Sequence, residues 1–449
     1  MQFPRFYILP LTSFLALGAC VTPNQQAVSV EQRVDARLQG QQPSLIAKMA
    51  PVSLENGFEH ALQSAVEQNP HYLAARSAET AAFAQIGVAQ SALKPQATSN
   101  FNGGVLREGS PVDANTSGVA AEMTITQLVY SGGGAVAAID SAMANALAGR
   151  AKAQETGNTI ALEAYRAWAT LWAVQQQLAT LMDRTKDIDT LMAQLDKLTE
   201  SGMVDSATRD NARMATLDFK MERHRLQGVK IAAEANFAQY FGAAPKASID
   251  APASLFTTAE LEKLSLDISR APTLRTVAAK LVAAEAAEAQ AKAQFKPTLL
   301  LSTGVTSPMD TSSTTDTHLG LQLRYTLNDG GKRKSQLDAA VAQKEAVAAE
   351  LENARASAAA MPLGSLAALR ALDQSDDLMK QKASAAETQS ETSKSQIASG
   401  QVSLRGVMDA EIADYRAFEE NIKLSSERLV LQATIAAGTG NLLERLNLQ

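Results

Sequence analysis

Two periodicities alternate along this chain. Leu319, Leu321, Leu323, Tyr325 and Leu327 take every second place while Gly320, Gln322, Arg324, Thr326 and Asn328 fill the others, the period of two that separates the faces of a strand. Val119, Ala121, Met123 and Ile125 alternate in the same way with Ala120, Glu122, Thr124 and Thr126. Shorter partner strands are expected near 97–106 and 299–306. The loops between partners, REGSPVDANTS and SPMDTSSTTDTH, are rich in residues that favour solvated turns.

Elsewhere the pattern is helical. Helices are expected over about 54–93 and 259–295, stopped by Pro95 and Pro297, since proline donates no backbone hydrogen bond and disfavours helical geometry before it. The pairs Gly132-Gly133 and Gly330-Gly331 are followed by alanine-rich helical stretches of nearly seventy residues, about 135–200 and 332–399. At ~1.5 Å per residue each reaches on the order of 100 Å. Leu171, Val174, Leu178, Leu181, Ile188, Met192 and Leu195 step by three and four with Thr185 in the missing place, a coiled-coil seam. The chain turns back at Ser201-Gly202 and Ser399-Gly400, where glycine suits the left-handed cap of a helical hairpin. Return helices run to Gly242 and about 437.

The elements come in two copies. Pro70 and Pro272 differ by 202 positions, as do Pro95 and Pro297, whereas Gly132 and Gly330, Gly202 and Gly400, and Gly242 and Gly440 each differ by 198. The first half therefore has the longer connection between its Lys-Pro and its Gly-Gly. A period this long is a duplicated half-molecule and not a solenoid unit. The expected organisation is a signal segment over 1–19, an N-terminal extension over 20–51, a first repeat over 52–242, a linker over 243–256, a second repeat over 257–440 and a tail over 441–449. Strands fall at about 96–130 and 298–328, and hairpin tips at about 200–206 and 398–404.

Composition narrows the class. The 449 residues carry 41 Lys plus Arg against 47 Asp plus Glu, a net charge of -6, with no basic block to attract a nucleic acid backbone. The start, MQFPRFYILPLTSFLALGAC, has one positive residue, a short apolar run and small residues before a cysteine, the build of an export signal. Its ending Leu17-Gly18-Ala19-Cys20 resembles the bacterial lipobox, which implies that Cys20 is acylated; a plain signal peptide with an incidental cysteine is the alternative. Cys20 is the only cysteine, so neither an intrachain disulfide nor a thiolate zinc cluster can form, and no metal or cofactor is expected.

No later stretch has the apolar length of a transmembrane helix, so a membrane crossing would use strands. Strands of about ten residues with one apolar and one polar face suit a transmembrane barrel; ordinary surface hairpins on a helical protein are the other reading. Four strands cannot close a barrel, since small barrels need about eight, and several copies would have to share one.

The phrase SLENGFEHALQSAVEQNPHYLAARSAETAA, the turns QLVYSGGG and YTLNDGGK, and the tips LTESGMVDSATRDNARM and SQIASGQVSLRGVMDAEIADY together resemble the outer membrane factor (TolC) family over nearly the whole chain from Val52 to Gly440. The resemblance implies a mainly α fold with a small β part: a homotrimer whose twelve strands, four per chain, form an outer-membrane barrel continuous with a long helical barrel across the periplasm. It implies an exit duct for multidrug efflux or type I secretion. The tips Ser201, Gly202, Met203, Val204 and Ser399, Gly400, Gln401, Val402 would dock a periplasmic adaptor coupled to an inner-membrane pump or ABC exporter. Gly132, Gly133, Gly330 and Gly331 would be the strand-to-helix turns. The family narrows its inner end with acids six and nine residues after the second tip glycine; here those places hold Gly406 and Asp409, so one ring of Asp409 carboxylates is expected as the constriction, against a solvated surface role. Thr208 stands where the first half can carry a further acid, which leaves an inherited salt-bridge lock unsupported.

Met361-Pro362-Leu363-Gly364 replaces Glu163-Ala164-Tyr165-Arg166 of the first half, and proline within a helix costs ~3 kcal/mol; a kink or break is expected near 358–362. Two other classes compete. For an enzyme, His60, His71, His224 and His318 are scattered without a paired metal or nucleophile motif. A non-pore periplasmic coiled-coil lipoprotein, acting as scaffold or adaptor, explains the seams but not the two alternating hairpins.

Overall fold

The computed structural model describes residues 51–104, 118–257, 266–308, 315–396 and 402–446, together with 32–34, 37 and 260–261. It divides into two units, Met1–Lys48 and Met49–Gln449. In the first, the described residues 32–34 and 37 are helical; everything below concerns the second.

That unit runs α1 (Phe58–Glu67), α2 (Pro70–Ser91), β1 (Gln96–Gly104), β2 (Gly118–Tyr130), α3 (Gly134–Glu200) and α4 (Ser206–Phe241), then α5 (Pro272–Ala293), β3 (Thr298–Pro308), β4 (Asp316–Arg324), α6 (Lys332–Gln396), α7 (Leu404–Gly438) and α8 (Leu442–Arg445). The fold is mainly helical with one four-stranded sheet, and the starts of α2 and α5, of α3 and α6, and of α4 and α7 keep the offsets of 202, 198 and 198. Among the described residues no helix is long and apolar enough to cross a membrane.

The first helix is not continuous as expected. It breaks at Asn69-Pro70, where the Asn69 side chain accepts from the His71 amide and Pro70 takes the first helical position, a favoured start because that position has no intrahelical donor to lose. The last strand is also shorter than its alternation: Tyr325 and Leu327 lie beyond β4, where Asn328 and Asp329 side chains capture the Gly330 and Gly331 amides and turn the chain. Of the kink or break expected near Pro362, the break is absent: α6 is one helix of 65 residues with the proline inside it. Packing on both sides of the proline offsets the lost hydrogen bond.

The sheet has the order β1-β2-β3-β4, antiparallel throughout, so its middle pair joins the two repeats. Register puts Thr98, Thr124, Gly304 and His318 in one row and Asn100, Glu122, Thr306 and Asp316 in the next. The opposite face carries Ala97, Ile125, Thr303 and Leu319 in one row and Gln127, Leu301 and Leu321 in another. Because paired residues share a face, one side of the sheet is mostly polar, apart from Leu128 paired with Leu300, and the other is more apolar. Leu319, Leu321 and Leu323 are more than three-fifths exposed.

The helices carry the core. The α3 seam is buried as its periodicity requires, with Leu171, Leu181, Ile188 and Leu195 inaccessible and the Thr185 hydroxyl bonded back to the Leu181 carbonyl at 2.6 Å. At mid-height α1 and the segment between the repeats close over α3. Phe58 meets the Tyr165 and Trp168 rings edge-on at 5.3 and 5.0 Å. Tyr165 Oη and Trp168 Nε1 donate to the Ala253 and Asp250 carbonyls, each at 2.8 Å, the partners that buried polar aromatic tips need. Gln432 of α7 accepts from the Leu255 amide at 3.0 Å. Residues 243–256 are thus built into the core and are not a loose tether.

Candidate functional site: turns, tips and a buried ionic cluster

Both strand-to-helix turns use a pair of left-handed glycines, with φ of 64° and 94° at Gly132 and Gly133 and 66° and 91° at Gly330 and Gly331. Residues with a Cβ pay roughly 1–2 kcal/mol for that region. The surroundings differ. Ser131 Oγ accepts from the Ala135 amide at 3.0 Å, and Lys296 donates to the Gly132 carbonyl at 3.2 Å; a Cβ on Gly132 would stand 2.6 Å from that of Lys296. The second turn is closed by Asp329, which accepts from the Gly331 amide at 3.1 Å and from Arg333 Nε at 2.7 Å. Desolvation there is outweighed by the Arg333 and backbone donors, so the Asp329 carboxyl titrates below its ordinary range.

At the first tip Gly202 has φ +79°, and the Met203 amide reaches back to the Leu198 carbonyl at 2.9 Å, the left-handed closure of a helix end. Ser201 and Met203 are exposed, Met203 by 70%, while Val204 packs on the coiled-coil core. Asp205 then caps α4, accepting the Thr208 amide at 2.8 Å and its hydroxyl at 2.7 Å. Of the second tip, Ser399, Gly400 and Gln401 lie outside the described residues, as does Cys20; Val402 is half-buried. Ser403 caps α7 through the Gly406 amide at 3.1 Å. Thr208 and Gly406 are therefore equivalent third residues of capped helices. A Cβ on Gly406 would stand 3.0 Å from Val402 Cγ1, so a side chain at this position would press on that residue.

Asp409 is exposed, its side chain 64% accessible, and its described partner is Arg405 one turn back at 3.8 Å. The structure does not bring it together with other acids of the same chain. Two and five residues on, the charges are buried instead. Glu411 is inaccessible and Asp414 nearly so. Lys394 of α6 bonds Glu411 at 2.6 Å and Asp187 of α3 at 3.2 Å; Arg184 of α3 lies 3.5 Å from Glu411 and pairs with Asp414; Ser390 donates to Glu411. Burial, opposed by the Arg184 guanidinium and reinforced by the Glu411 and Glu387 carboxylates, pushes the Asp414 carboxyl up. This cluster ties α3, α6 and α7 together. Sequence reading missed it; the available signal was Arg184 sitting beside the seam residue Thr185, a place that faces another helix. The histidines do not converge: His60, His71, His224 and His318 are all exposed, and no group of acids, histidines or cysteines among the described residues has metal-binding spacing.

The family model described as outer membrane efflux protein matches residues 264–441. No curated protein matches the chain in sequence. Among solved structures, the outer membrane protein VceC of Vibrio cholerae superposes with a TM-score of 0.72 at 17% identity, covering 85% of this chain and 95% of its own. The open-state MtrE outer membrane channel of Neisseria gonorrhoeae gives 0.71 at 17%, covering 86% and 89%. The Campylobacter jejuni CmeC outer membrane channel gives 0.70 at 12%, covering 90% and 91%. At such identities the likeness is one of fold, and it spans both repeats. Residues 264–441 thus resemble the outer membrane efflux protein family, and the chain as a whole has the TolC-type channel-tunnel fold.

Proposed function

We propose that three copies of this chain form an outer-membrane channel, lipid-anchored through Cys20, that exports drugs or secreted proteins handed over by a periplasmic adaptor and an inner-membrane pump or ABC exporter. The observation that carries the reading is the sheet: four antiparallel strands with a mostly polar and a more apolar face, and with no strand among the described residues on the outer edges of β1 and β4. In lipid, unpaired edges are intolerable, and closure into a barrel removes them. Pairing β4 of one copy with β1 of the next does so, putting the leucine face toward lipid and the Glu122–Asp316 face toward water.

The stem supports the same assembly. Besides its α3-facing residues Phe219 and Leu226, α4 carries Met214, Leu217, Met221 and Ile231, each more than half exposed. Met214, Leu217 and Met221 are spaced by three and four, and Ile231 follows ten residues on, an exposed apolar face fitted to a helix of a neighbouring copy. The helices lie in the periplasm, the exposed tip at Ser201 and Met203, with Gly202, Val204 and the equivalent 399–402, docks the adaptor, and Asp409 lines the inner opening. No catalytic chemistry is assigned. A non-pore scaffold would leave the two-faced sheet without a role.

The test is the mass of the purified protein in detergent together with single-channel recording in planar bilayers. A trimer with discrete conductance steps is expected. A monodisperse monomer that passes no current overturns the reading.

A further inference from the structure

The acidic and basic side chains of the sheet are Glu122 of β2 and Asp316, His318 and Arg324 of β4. Register puts all four on the face of Thr98, Thr124 and Gly304, and none on the other. They are also sorted by sign along the strands. Glu122, Thr306 and Asp316 stand in one row toward the loops, His318 in the next, and Arg324 pairs with Thr298 in the row nearest the helices. The Glu122 carboxylate accepts from the Thr124 hydroxyl at 3.1 Å, and none of Glu122, Asp316 and Arg324 has an ionic partner among the described residues.

Distance decides which of these charges act together. Glu122 and Asp316 have only β3 between them, so their backbones are on the order of 10 Å apart. Arg324 is eight residues from Asp316 on the same strand, about 27 Å along it. The Debye length in 0.1 M salt is about 10 Å. The two acids therefore make one field, and Arg324, screened from them, makes another. In the proposed trimer these become an acidic ring with two carboxylates from each copy and a basic ring with one guanidinium from each. Twelve strands tilted by about 40° set the wall on the order of 12 Å from the axis. Side chains reach further in, so each field extends across the lumen.

We infer that the barrel is electrically polarised along its axis, acidic through Glu122 and Asp316 at the loop end and basic through Arg324 at the helix end, and that it favours cargo with little or balanced charge. The inference rests on the channel reading, which turns the charged face toward water inside a closed barrel. A strongly charged molecule of either sign is repelled at one ring and held at the other. A ring potential of about 25 mV changes the local concentration of a singly charged molecule about threefold and of a triply charged one about twentyfold. Neutral molecules, and molecules whose charges cancel, meet neither barrier.

Thiol-modification rates at reporter cysteines in the purified full-length protein, in detergent and 0.1 M salt, test the two fields. Thr306→Cys stands between Glu122 and Asp316, and Thr298→Cys stands beside Arg324. The parent, whose one cysteine is Cys20, gives the background. The probes are a cationic and an anionic methanethiosulfonate. The ratio of cationic to anionic rate should be at least about tenfold higher in Thr306→Cys than in Thr298→Cys. In 1 M salt, where the Debye length is about 3 Å, the two ratios should converge. Adding Glu122→Gln and Asp316→Asn should remove the cation preference in Thr306→Cys, and adding Arg324→Gln the anion preference in Thr298→Cys. Equal ratios at the two places, or ratios indifferent to these neutral variants, would overturn the inference. Reporters that stay unmodified in the folded protein but react once it is denatured would remove the channel reading itself, so the two failures are told apart.

Discussion

Lys394 Nζ lies 2.6 Å from Oε1 of Glu411, a carboxylate with no accessible surface, and the two residues belong to the two arms of one hairpin. Removing one member of a buried pair leaves the other uncompensated, at a cost of about 3–5 kcal/mol. Glu411 keeps Arg184 at 3.5 Å, so Lys394→Met should lower the unfolding free energy by less than that, about 2 kcal/mol. The double change Lys394→Met with Glu411→Leu should recover most of that loss, because the stranded charge goes with its partner. Denaturant unfolding of the single and double variants measures both; equal losses in the two would show that the pair is not what matters.

Acid should act on two carboxylates in opposite directions. The Glu288 carboxyl is held down to about 2 by hydrogen bonds from Lys292 and Lys344, so the stability it contributes is full above its unfolded value of 4.5 and is lost as pH falls toward 2. Asp414 is raised by burial. The folded chain then binds its proton more readily than the unfolded chain, and this group adds stability as pH falls through its folded value toward 3.8. Glu288→Gln should flatten the acid-side decline, and Asp414→Asn should remove the opposing gain. Thermal midpoints between pH 7 and pH 3 check the signs.

The paired glycine turns are alike in backbone and unlike in surroundings, which makes their alanine variants unequal. Gly331→Ala meets only the left-handed strain, roughly 1–2 kcal/mol, because nothing lies within 4 Å of the added Cβ. Gly132→Ala meets the same strain and drives the Cβ to 2.6 Å from that of Lys296, at the foot of β3. The larger loss should fall on Gly132→Ala, accompanied by weaker protection of the β2–β3 amides in hydrogen exchange. The reverse order would refute the packing account.

Strand faces, helix order and the repeat were legible because each is a local periodicity: alternation for Leu319 to Leu323, three-and-four spacing for Leu171 to Leu195, and an offset that counting alone reveals. What was illegible depends on neighbours distant in sequence. Pro362 reads as a breaker, yet α5 and α7 support α6 on either side of it. Buried Glu411 and its partners Lys394 and Arg184 look like ordinary surface charges until α3 and the second hairpin are laid together. Asx turns at Asn328 and Asp329 ended a strand whose alternation ran on through Leu327.

Asp409 and Glu411 lie two residues apart on α7, about 200° around a helix of 3.6 residues per turn, and that rotation separates their roles. Glu411 points into the α3–α6 cluster, whereas Asp409 is 64% accessible with a loose partner in Arg405 at 3.8 Å. Neutralising an exposed, weakly paired carboxylate changes folding stability by no more than about 0.5 kcal/mol, so Asp409→Asn should unfold like the parent. In the proposed trimer three such carboxylates face one opening, and an acidic ring favours cations. Asp409→Asn should then shift the zero-current potential in a salt gradient toward non-selectivity, while conductance steps and trimer mass persist. An unchanged zero-current potential in a conducting variant would assign Asp409 to the outer surface of the stem and move the constriction to other residues of α7.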